Sequence, residues 1–410
     1  MRTLIKGGTI VTAADTYAAD VLIGDGKVRA IGLGLPTDVD RIIDASGKYV
    51  FPGAIDVHTH FDMPFGGTVS SDDFETGTKA AAFGGTTAII DFSIQAKGAT
   101  LRAALDTWQA KARGKACIDY GFHVAITDLP DSVMDEIPEL VEDGVTSFKL
   151  FMAYKGALQV DDATFFKALR KARECGALIS FHGENGDVID VLVKQMVAAG
   201  QVAPKYHALS RPPEAEAEAT ARAIALAEMA EAPIYVVHLS AALALDKVVA
   251  ARDRGLPVYA ETCPQYLVTS IECYDEPDFN GAKYVCSPPL RDKSNWPRLW
   301  TGLATGDLQT VASDHCPFNF QGQKELGKDN YAAIPNGAPG VETRFNLVYS
   351  AGVVGGRIGL NKFVDVVSTA PAKLFGLYPQ KGTIAVGSDA DIVVFDPTIE
   401  HTITVSALHQ

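Results

Sequence analysis

Two histidines separated by one residue end an apolar segment near the start of the chain, in the sequence Asp56-Val57-His58-Thr59-His60. In an extended segment, side chains at positions i and i+2 point to the same side, so both imidazoles can reach one ion. Imidazole nitrogen is a common ligand of zinc and related metals. Alone, this pair fits packed or exposed structural histidines equally well, so it predicts a metal site only when further ligands accompany it.

Three further groups of ligand type end other apolar segments, namely His182, His238 and Asp314. A single histidine in such a place is more often a hydrogen-bonded core residue than a ligand. A carboxylate there is costly unless a partner compensates its charge. Together with the first pair, these residues predict one metal centre, provided that the segments bearing them end at the same place in the fold.

Lys149 lies inside the apolar segment Ser147-Phe148-Lys149-Leu150-Phe151. Desolvation and repulsion destabilise a buried ammonium beside metal cations, unless carbon dioxide converts the amine to an anionic carbamate that bridges two metals. With four neutral imidazoles and one aspartate, a carbamate and a hydroxide bring the residual charge of two divalent ions to about +1. The alternative is a lysine at a rim whose ammonium reaches water. In the company of the histidines, Lys149 predicts a bridged pair of metals.

The segments that carry these residues belong to a regular alternation of strand-like apolar runs and helix-length amphipathic segments, which is typical of parallel βα units. Eight alternations predict a (β/α)8 TIM barrel, whose catalytic face is the carboxyl end of the strands. The predicted strands are Ala54 to His58, Ala88 to Phe92, Phe122 to Ile126, Ser147 to Phe151, Leu178 to His182, Ile234 to His238, Val258 to Thr262 and Thr310 to Asp314. The predicted helices include Asp72 to Phe83, Ala99 to Arg113, Asp161 to Glu174, Glu214 to Glu231 and Ala241 to Arg254.

Short strands and turns fill both ends of the chain, so a small β-sandwich is expected to form from the N- and C-terminal segments. The expected boundaries are 1–52 and 376–410 for the sandwich and 53–375 for the catalytic barrel. Within the C-terminal part, Ile392 to Phe395 and Thr402 to Val405 are predicted strands. The segment from Pro317 to Pro339 is long and rich in Gly, Asn, Gln and Pro, which favours a loop that covers the substrate.

The composition of the chain argues against several classes of protein. The 410 residues are 47% hydrophobic, which is typical of a globular protein, and the net charge of −14 argues against a nucleic-acid partner. No secretory h-region and no apolar stretch of about 18 residues is present, so a cytoplasmic protein without a membrane partner is expected. The six cysteines form no Cys-x-x-Cys pair, so neither a disulfide framework nor a zinc ribbon is predicted.

With these residues assembled, the sequence resembles the cyclic amidases of the amidohydrolase superfamily, in particular the dihydropyrimidinases and D-hydantoinases. The resemblance spans nearly the whole chain. It rests on the stretches Phe51-Pro-Gly-Ala-Ile-Asp-Val-His-Thr-His60, Gly84-Gly-Thr-Thr87, Ser147-Phe-Lys-Leu150, His182-Gly-Glu-Asn185, Cys286-Ser-Pro-Pro-Leu-Arg291, Ser313-Asp-His-Cys-Pro317, Ala333-Ile-Pro-Asn-Gly337 and Lys381-Gly-Thr-Ile-Ala-Val-Gly-Ser-Asp-Ala-Asp391.

The resemblance implies two zinc ions per subunit, bridged by carbamylated Lys149 and a hydroxide. It implies that His58, His60 and Asp314 hold one zinc and that His182 and His238 hold the other. It also implies that Asp314 moves the proton during catalysis and that Tyr154 donates to the oxyanion. Tyr154, Ser287 and Asn336 match the substrate-contacting positions, the last two through their main chain.

The implied reaction opens 5,6-dihydrouracil to N-carbamoyl-β-alanine and 5-substituted hydantoins to N-carbamoyl amino acids, with a cyclic ureide as the small-molecule partner. The resemblance further implies a homo-oligomer, a tetramer or a dimer. Relatives usually continue for some tens of residues beyond the position of Gln410, so the C-terminal part of the sandwich is expected to be truncated and the tetramer is a weaker expectation.

Three alternatives stay open from the sequence. A dihydroorotase acts on a carboxylate substrate and typically has an arginine two residues after the second histidine, where this chain has the acidic Asp62. An allantoinase is favoured only slightly more than a dihydroorotase. The collapsin response mediator proteins, which are non-enzymatic assembly proteins, lack the full metal set, whereas every ligand position is retained here.

Overall fold

Eight short, buried strands form the centre of the protein, and the computed structural model describes all residues from Met1 to Gln410. The strands of the chain, in order, are β1 (Arg2–Lys6), β2 (Thr9–Val11), β3 (Thr16–Ala18), β4 (Asp20–Gly24), β5 (Lys27–Gly32), β6 (Arg41–Asp44), β7 (Tyr49–Pro52), β8 (Ala54–Thr59), β9 (Pro64–Phe65), β10 (Thr68–Val69), β11 (Thr86–Ile94), β12 (Asp119–Ala125), β13 (Ser147–Phe151), β14 (Leu178–His182), β15 (Ile234–Val236), β16 (Val258–Thr262), β17 (Thr310–Val311) and β18 (Ile392–Phe395). The predicted strands from Ser147, Leu178 and Val258 have the predicted bounds.

The central sheet is parallel throughout and has the strand order β17-β16-β15-β14-β13-β12-β11-β8. An isolated parallel bridge between Thr59 and His315 joins its two edges, with the His60 amide donating to the His315 carbonyl at 2.8 Å. Sequential strands with intervening helices and joined edges are the architecture of a (β/α)8 barrel. The predicted fold class is therefore confirmed.

Helices occupy the connections between the barrel strands. They are α1 (Phe74–Phe83), α2 (Leu101–Ala112), α3 (Asp131–Met134), α4 (Glu136–Glu142), α5 (Asp162–Cys175), α6 (Gly186–Ala198), α7 (Lys205–Leu209), α8 (Pro213–Ala230), α9 (Ala242–Asp253), α10 (Gln265–Val268), α11 (Trp296–Thr305), α12 (Arg344–Val348), α13 (Leu360–Val364) and α14 (Ala370–Leu374). None of these helices is long and apolar enough to cross a membrane.

Local capping chemistry sets the bounds of the helices, as α5 illustrates. The Asp161 carboxylate accepts a hydrogen bond from the Thr164 amide at 2.7 Å, which satisfies one of the free amides of the first turn. At the other end Gly176 adopts φ 74°, the left-handed conformation that glycine adopts without a steric cost. The predicted helix from Asp161 to Glu174 therefore lies within one residue of the observed one.

Three predicted barrel strands end earlier than expected: β12 ends one residue early, at Ala125, and the other two bear predicted ligands. The predictions ran to His238 and Asp314, whereas β15 ends at Val236 and β17 ends at Val311. His238 has φ 39° and Asp314 has φ 52°, a left-handed conformation that cannot continue a strand. The two side chains are therefore presented by the first residues of the loops.

The N-terminal strands form two four-stranded sheets, with the orders β5-β4-β1-β6 and β18-β7-β2-β3. Strand β18 pairs antiparallel with β7, from Ile392 opposite Pro52 to Phe395 opposite Tyr49, so the two ends of the chain share a sheet as predicted. A separate apolar cluster fills the space between the sheets. Its buried members are Ile5, Ile10, Ala19, Val21, Val28, Ala45, Val50 and Ile384.

The prediction of a strand from Thr402 to Val405 is wrong. Residues 401–407 are exposed, and only a short 3-10 turn, Val405–Ala407, forms there. The sequence has the alternation of a strand, but no neighbouring strand offers hydrogen bonds, and an isolated strand is unstable in water.

The domain boundaries, 1–52 and 376–410 for the β-sandwich and 53–375 for the barrel, stay predictions.

One buried ion pair joins the first barrel strand to α12, and its arginine also bonds to the last barrel strand. The Asp56 and Arg344 side chains are fully buried, with 3.4 Å between Oδ2 and Nε. The other Asp56 oxygen accepts hydrogen bonds from the amides of His58 and Ser313, at 3.2 and 3.0 Å. The Arg344 guanidinium also donates to the Val311 carbonyl at 2.8 Å. This pair therefore holds the main chain next to two predicted ligands.

We expect Arg344→Met to lower the free energy of unfolding by about 3–5 kcal/mol, because it leaves the Asp56 carboxylate buried without a counter-charge. Arg254→Met is the matched control, since Arg254 makes an exposed ion pair with Glu228 at 3.0 Å and its loss should cost no more than about 1 kcal/mol. Urea unfolding of both variants measures the difference. Equal stability of the two variants would contradict a structural role for the Asp56 pair.

Candidate active site

All nine residues singled out in the sequence line one cavity at the carboxyl end of the barrel strands. The cavity is lined by His58, His60, Met63, Phe65, Ile94, Lys149, Phe151, Tyr154, Leu158, His182, His238, Ser287, Asp314, Cys316, Asn336 and Gly337. These residues come from β8, β11, β13 and β14 and from the loops that follow several barrel strands. The position matches the catalytic face of a (β/α)8 barrel.

The imidazoles and the carboxylate converge in two close groups, although the contacts of Asp314 with His58 and His60 lack the geometry of hydrogen bonds. Asp314 Oδ1 lies 3.1 Å from Nε2 of His58 and 3.3 Å from Nε2 of His60. On the other side of the cavity, Nδ1 of His182 lies 2.9 Å from Nε2 of His238. Donor atoms of His58, His238 and Asp314 all lie within 4.8 Å of one another, so this group can hold a metal ion.

The protonation state of the histidines also fits metal ligands. Burial lowers the pKa of His58, His60 and His238, with the neighbouring Lys149 ammonium as a further cause, so that these imidazoles are neutral at pH 7. Nε2 of His58 and Nδ1 of His238 are buried without a hydrogen-bond partner. Buried polar atoms without partners are costly, and a metal ion in the cavity would compensate them. The donor set therefore fits a metal centre.

Two buried carboxylates orient the histidines from behind. His182 Nε2 contacts Glu184 Oε2 at 2.7 Å, and His58 Nδ1 contacts Glu261 Oε1. Glu261 also accepts from the His238 amide at 3.0 Å and from the Tyr235 hydroxyl at 2.8 Å, and burial raises its pKa to about 8. Such outer partners fix the tautomer and the ring orientation of metal-binding histidines.

The sequence analysis did not identify Glu261 as a functional residue. It included Glu184 only in the stretch His182-Gly-Glu-Asn185. The signal for Glu261 was present, because it is a carboxylate within the apolar strand β16, which was also the argument for Asp314. What the sequence does not give is its partner, since His58 lies 203 positions away and meets Glu261 only through the curvature of the barrel.

His315, the neighbour of Asp314, has a structural role. Its Nε2 contacts Asp72 Oδ2 at 3.0 Å, and its Nδ1 accepts a hydrogen bond from the Gly340 amide at 3.0 Å. Both ring nitrogens are therefore occupied by the protein. The side chain joins the end of the barrel to the loop before α1.

Lys149 is 1% exposed and has no hydrogen-bond or ion-pair partner in the protein. Its Nζ instead lies 4.4 Å from the centre of the Phe92 ring and 5.0 Å from that of Phe151. Burial lowers the pKa of Lys149 to about 8. The alternative of a lysine that reaches water at the rim is therefore wrong, because the amine is enclosed beside the histidines.

Tyr154, Ser287 and Asn336 form a polar group at one side of the cavity. The Asn336 amide donates to Ser287 Oγ at 3.2 Å, and the Tyr154 ring lies 5.3 Å from the His182 ring. Burial raises the pKa of Tyr154, so its phenol stays protonated and able to donate. Tyr154 adopts φ 66°, and strained backbone of this kind is frequent at functional sites.

Apolar side chains complete the lining, and a tight hairpin presents one of them. Strands β9 and β10 are joined by Gly66 and Gly67, with φ 60° and 81°, the conformation of a two-residue turn that favours glycine. The hairpin brings Phe65 into edge contact with Tyr154, with 5.4 Å between ring centres. The sequence analysis did not identify Phe65 as part of the lining.

The predicted covering loop, Pro317 to Pro339, contacts the cavity only near its C-terminal end, through Asn336 and Gly337. Its middle part, including Phe318, Phe320 and Lys324, lines a neighbouring groove instead. That the segment covers the substrate therefore stays a prediction, supported at the cavity by Asn336 and Gly337 alone.

Comparison with known proteins agrees with this geometry. The model of the amidohydrolase family matches residues 49–408. A D-hydantoinase from Geobacillus stearothermophilus is 57% identical over 410 residues, which are 100% of this chain and 87% of the relative. A D-hydantoinase from Streptomyces coelicolor is 54% identical, over 100% of this chain and 88% of the relative.

The crystal structure of a dihydropyrimidinase from Brevibacillus agri NCHU1002 superimposes with a TM-score of 0.99 at 59% identity, over 100% of this chain and 89% of that one. An L-hydantoinase (dihydropyrimidinase) from Arthrobacter aurescens has a TM-score of 0.89 at 32% identity, over 99% of this chain and 89% of that one. The chain therefore belongs to the amidohydrolase family, and within it to the group of hydantoinases and dihydropyrimidinases.

Proposed function

We propose that the protein is a metal-dependent hydrolase that opens the rings of 5,6-dihydropyrimidines and 5-substituted hydantoins at a cyclic amide bond. The observation that carries this proposal is the convergence of four imidazoles, a carboxylate and a buried lysine on one cavity. Relatives named as D-hydantoinases, at 52–57% identity over the full chain, support the same reaction.

We propose that the cavity holds two zinc ions, one at His58, His60 and Asp314 and the other at His182 and His238. When bound, the ions supply a hydroxide nucleophile near neutral pH and polarise the carbonyl group of the substrate. Of these three ligands of one ion, His58 is fully buried and His60 is 10% exposed, while Asp314, the one carboxylate, is 11% exposed. Its carboxylate is therefore placed to accept the proton of the nucleophile and return it to the leaving nitrogen.

Carbamylation of Lys149 is the modification that fits its surroundings. The amine reacts with carbon dioxide to form a carbamate and release one proton, and only the unprotonated amine is nucleophilic. Burial favours that form by lowering the pKa of Lys149 to about 8. The resulting anion would offer two oxygens in the cavity that the four histidines also line, and would serve as a ligand shared by both ions.

On the polar side of the cavity, Tyr154 is proposed to donate its phenolic proton in a hydrogen bond to the oxyanion that forms at the ring carbonyl. The main chain at Ser287 and Asn336 is proposed to pair with the amide and imide groups of the ring. These two segments lie next to each other, as the hydrogen bond between their side chains shows. Together they orient the ring with its scissile bond toward the histidines.

The lining of the cavity argues against the dihydroorotase and allantoinase alternatives. It contains no arginine that could pair with a substrate carboxylate, and five of its members are Met63, Phe65, Ile94, Phe151 and Leu158. These apolar side chains suit an alkyl or aromatic substituent better than a carboxylate or ureido group. Asp62, at the position of the arginine that is typical of dihydroorotases, lies outside the lining and 3.8 Å from the Lys111 ammonium.

We further propose that the enzyme is a cytoplasmic homo-oligomer, a tetramer or a dimer. Six cysteines without a disulfide support a reducing compartment. Val188 and Val191 on α6 are 44% and 52% exposed, and such exposed apolar side chains favour association between subunits.

The first test measures turnover with and without metal. We expect chelated protein to lose the ultraviolet-monitored hydrolysis of dihydrouracil and of a 5-substituted hydantoin, and zinc to restore both, because the nucleophile depends on the metals. Specificity constants for dihydrouracil and for the D- and L-forms of 5-phenylhydantoin then define the substrate. A protein that binds zinc but hydrolyses none of these rings would contradict the proposal and favour a non-enzymatic assembly protein.

The second test removes the proposed bridge. We expect Lys149→Ala to lower kcat by about 10³-fold or more and to reduce the zinc content below two ions per subunit, because a shared anionic ligand is lost. A small carboxylate such as acetate should restore part of the activity. Lys167→Ala is the control, since Lys167 is exposed and far from the cavity lining. Two bound zinc ions and full turnover in Lys149→Ala would exclude the carbamate.

The third test concerns the carboxylate behind His58. Glu261→Gln keeps the size of the side chain but replaces the carboxyl group that contacts His58 Nδ1 with an amide, so we expect zinc affinity to fall by about 10- to 100-fold. Glu228→Gln makes the same exchange at an exposed side chain and should leave zinc affinity unchanged. Competition with a chelator of known affinity measures both variants. Unchanged affinity in Glu261→Gln would show that Glu261 does not tune the metal centre.

A further inference from the structure

Lys324 is a second buried lysine, outside the proposed metal centre. It lies in the 3-10 turn Lys324–Gly327 and is 2% exposed, and no carboxylate forms an ion pair with it. Its Nζ donates to three main-chain carbonyl oxygens, of Val285 at 2.8 Å and of Pro335 and Gly337 at 2.7 Å each. All three N–H donors of the ammonium are therefore used.

The three acceptors belong to the two segments that are proposed to hold the substrate ring. Val285 lies two residues before Ser287, and Pro335 and Gly337 directly flank Asn336. The Gly337 amide also donates to the Val285 carbonyl at 2.9 Å, so that one oxygen accepts from both the loop and the lysine. Lys324 thus lies at the junction between the two segments.

The lysine acts from the side of these segments that faces away from the reaction. Asn336, Ser287 and Gly337 line the catalytic cavity, whereas Lys324 lines the neighbouring groove. Main-chain hydrogen bonds between the two segments are few, because neither segment is part of a strand. An ammonium with three fixed acceptors therefore replaces the ladder that a sheet would provide.

The segment around Asn336 also packs closely against its neighbours. A Cβ at Gly337 would lie 2.2 Å from the Cys316 carbonyl oxygen, and one at Gly327 would lie 2.2 Å from a side-chain carbon of Ile334. This packing limits the segment on the side of Cys316 and Ile334. The lysine adds the hydrogen bonds that connect the segment to Val285.

We propose that Lys324 is a positioning residue for the cyclic substrate, because its ammonium fixes the separation between the main chain at Ser287 and the main chain at Asn336. This inference rests on the proposed function, in which those two segments pair with the ring. It assigns a role to a residue that touches neither the ring nor the six proposed metal ligands.

The test separates ring binding from metal binding. Lys324→Met keeps the length of the side chain and removes its donors, so we expect KM for the ring substrate to rise by about tenfold or more, with a smaller change in kcat. Zinc content should stay at the wild-type level. Inhibition by acetohydroxamate, which binds metal without needing the ring contacts, should change by less than about twofold.

Lys328→Met is the matched control, because it removes the same charge and length from an exposed position of the same loop. It should leave KM, kcat and inhibition at their wild-type values. Lys324→Gln keeps two amide donors and is expected to give an intermediate KM. It also serves as the test variant if Lys324→Met does not fold.

The outcomes distinguish the two proposals. An inactive wild type that binds zinc overturns the proposed function and this inference with it. An active wild type with unchanged KM in Lys324→Met overturns the positioning role alone. Equal losses in substrate affinity, hydroxamate affinity and zinc content would also overturn it, since they indicate general damage to the site.

Discussion

The structure depends on keeping several polar, ionisable groups together in a space from which water is largely excluded. His58, Lys149 and His238 are each no more than 3% exposed, and their mutual repulsion would be severe if all were charged. Burial lowers their pKa values and so removes much of that repulsion. Neutral imidazoles and an uncharged amine are also the forms that bind metal and carbon dioxide. Burial therefore destabilises the charged forms of these groups and, by doing so, favours the forms that the proposed chemistry needs.

A barrel provides the rigidity that such a site needs. Its closure between Thr59 and His315 brings the first ligand pair next to Asp314, and the buried Asp56 carboxylate accepts hydrogen bonds from the main chain on both sides of that seam. Glu261, on a third strand, contacts His58 and the amide of His238. Two of the proposed ligands, His58 and His238, are thus held by a carboxylate that is itself fully buried in the barrel.

The substrate side of the cavity is built on a different principle. Ser287 and Asn336 belong to irregular segments, so no sheet ladder fixes their main chain. The Lys324 ammonium and the direct hydrogen bond from Gly337 to Val285 take over that function. The amide and imide groups of a cyclic ureide need donors and acceptors at a fixed separation. A rigid metal centre and a separately braced ring site explain how one barrel can accept different ring substituents while preserving one reaction.

The sequence by itself determined the barrel, the chemical types of the ligands and their places at strand ends, because hydrophobic periodicity is a local property and a polar group within an apolar run is visible without a structure. Only the tertiary structure decided which groups meet. Glu261 reaches His58 across 203 positions, and Lys324 joins segments about 50 positions apart. The sequence also did not predict that the strand ends before His238, because the left-handed conformation of His238 arises only in the folded chain. Nor did it predict the absence of a strand from Thr402, because a strand needs a neighbour to pair with. Contacts of this kind depend on barrel closure, which no local pattern encodes.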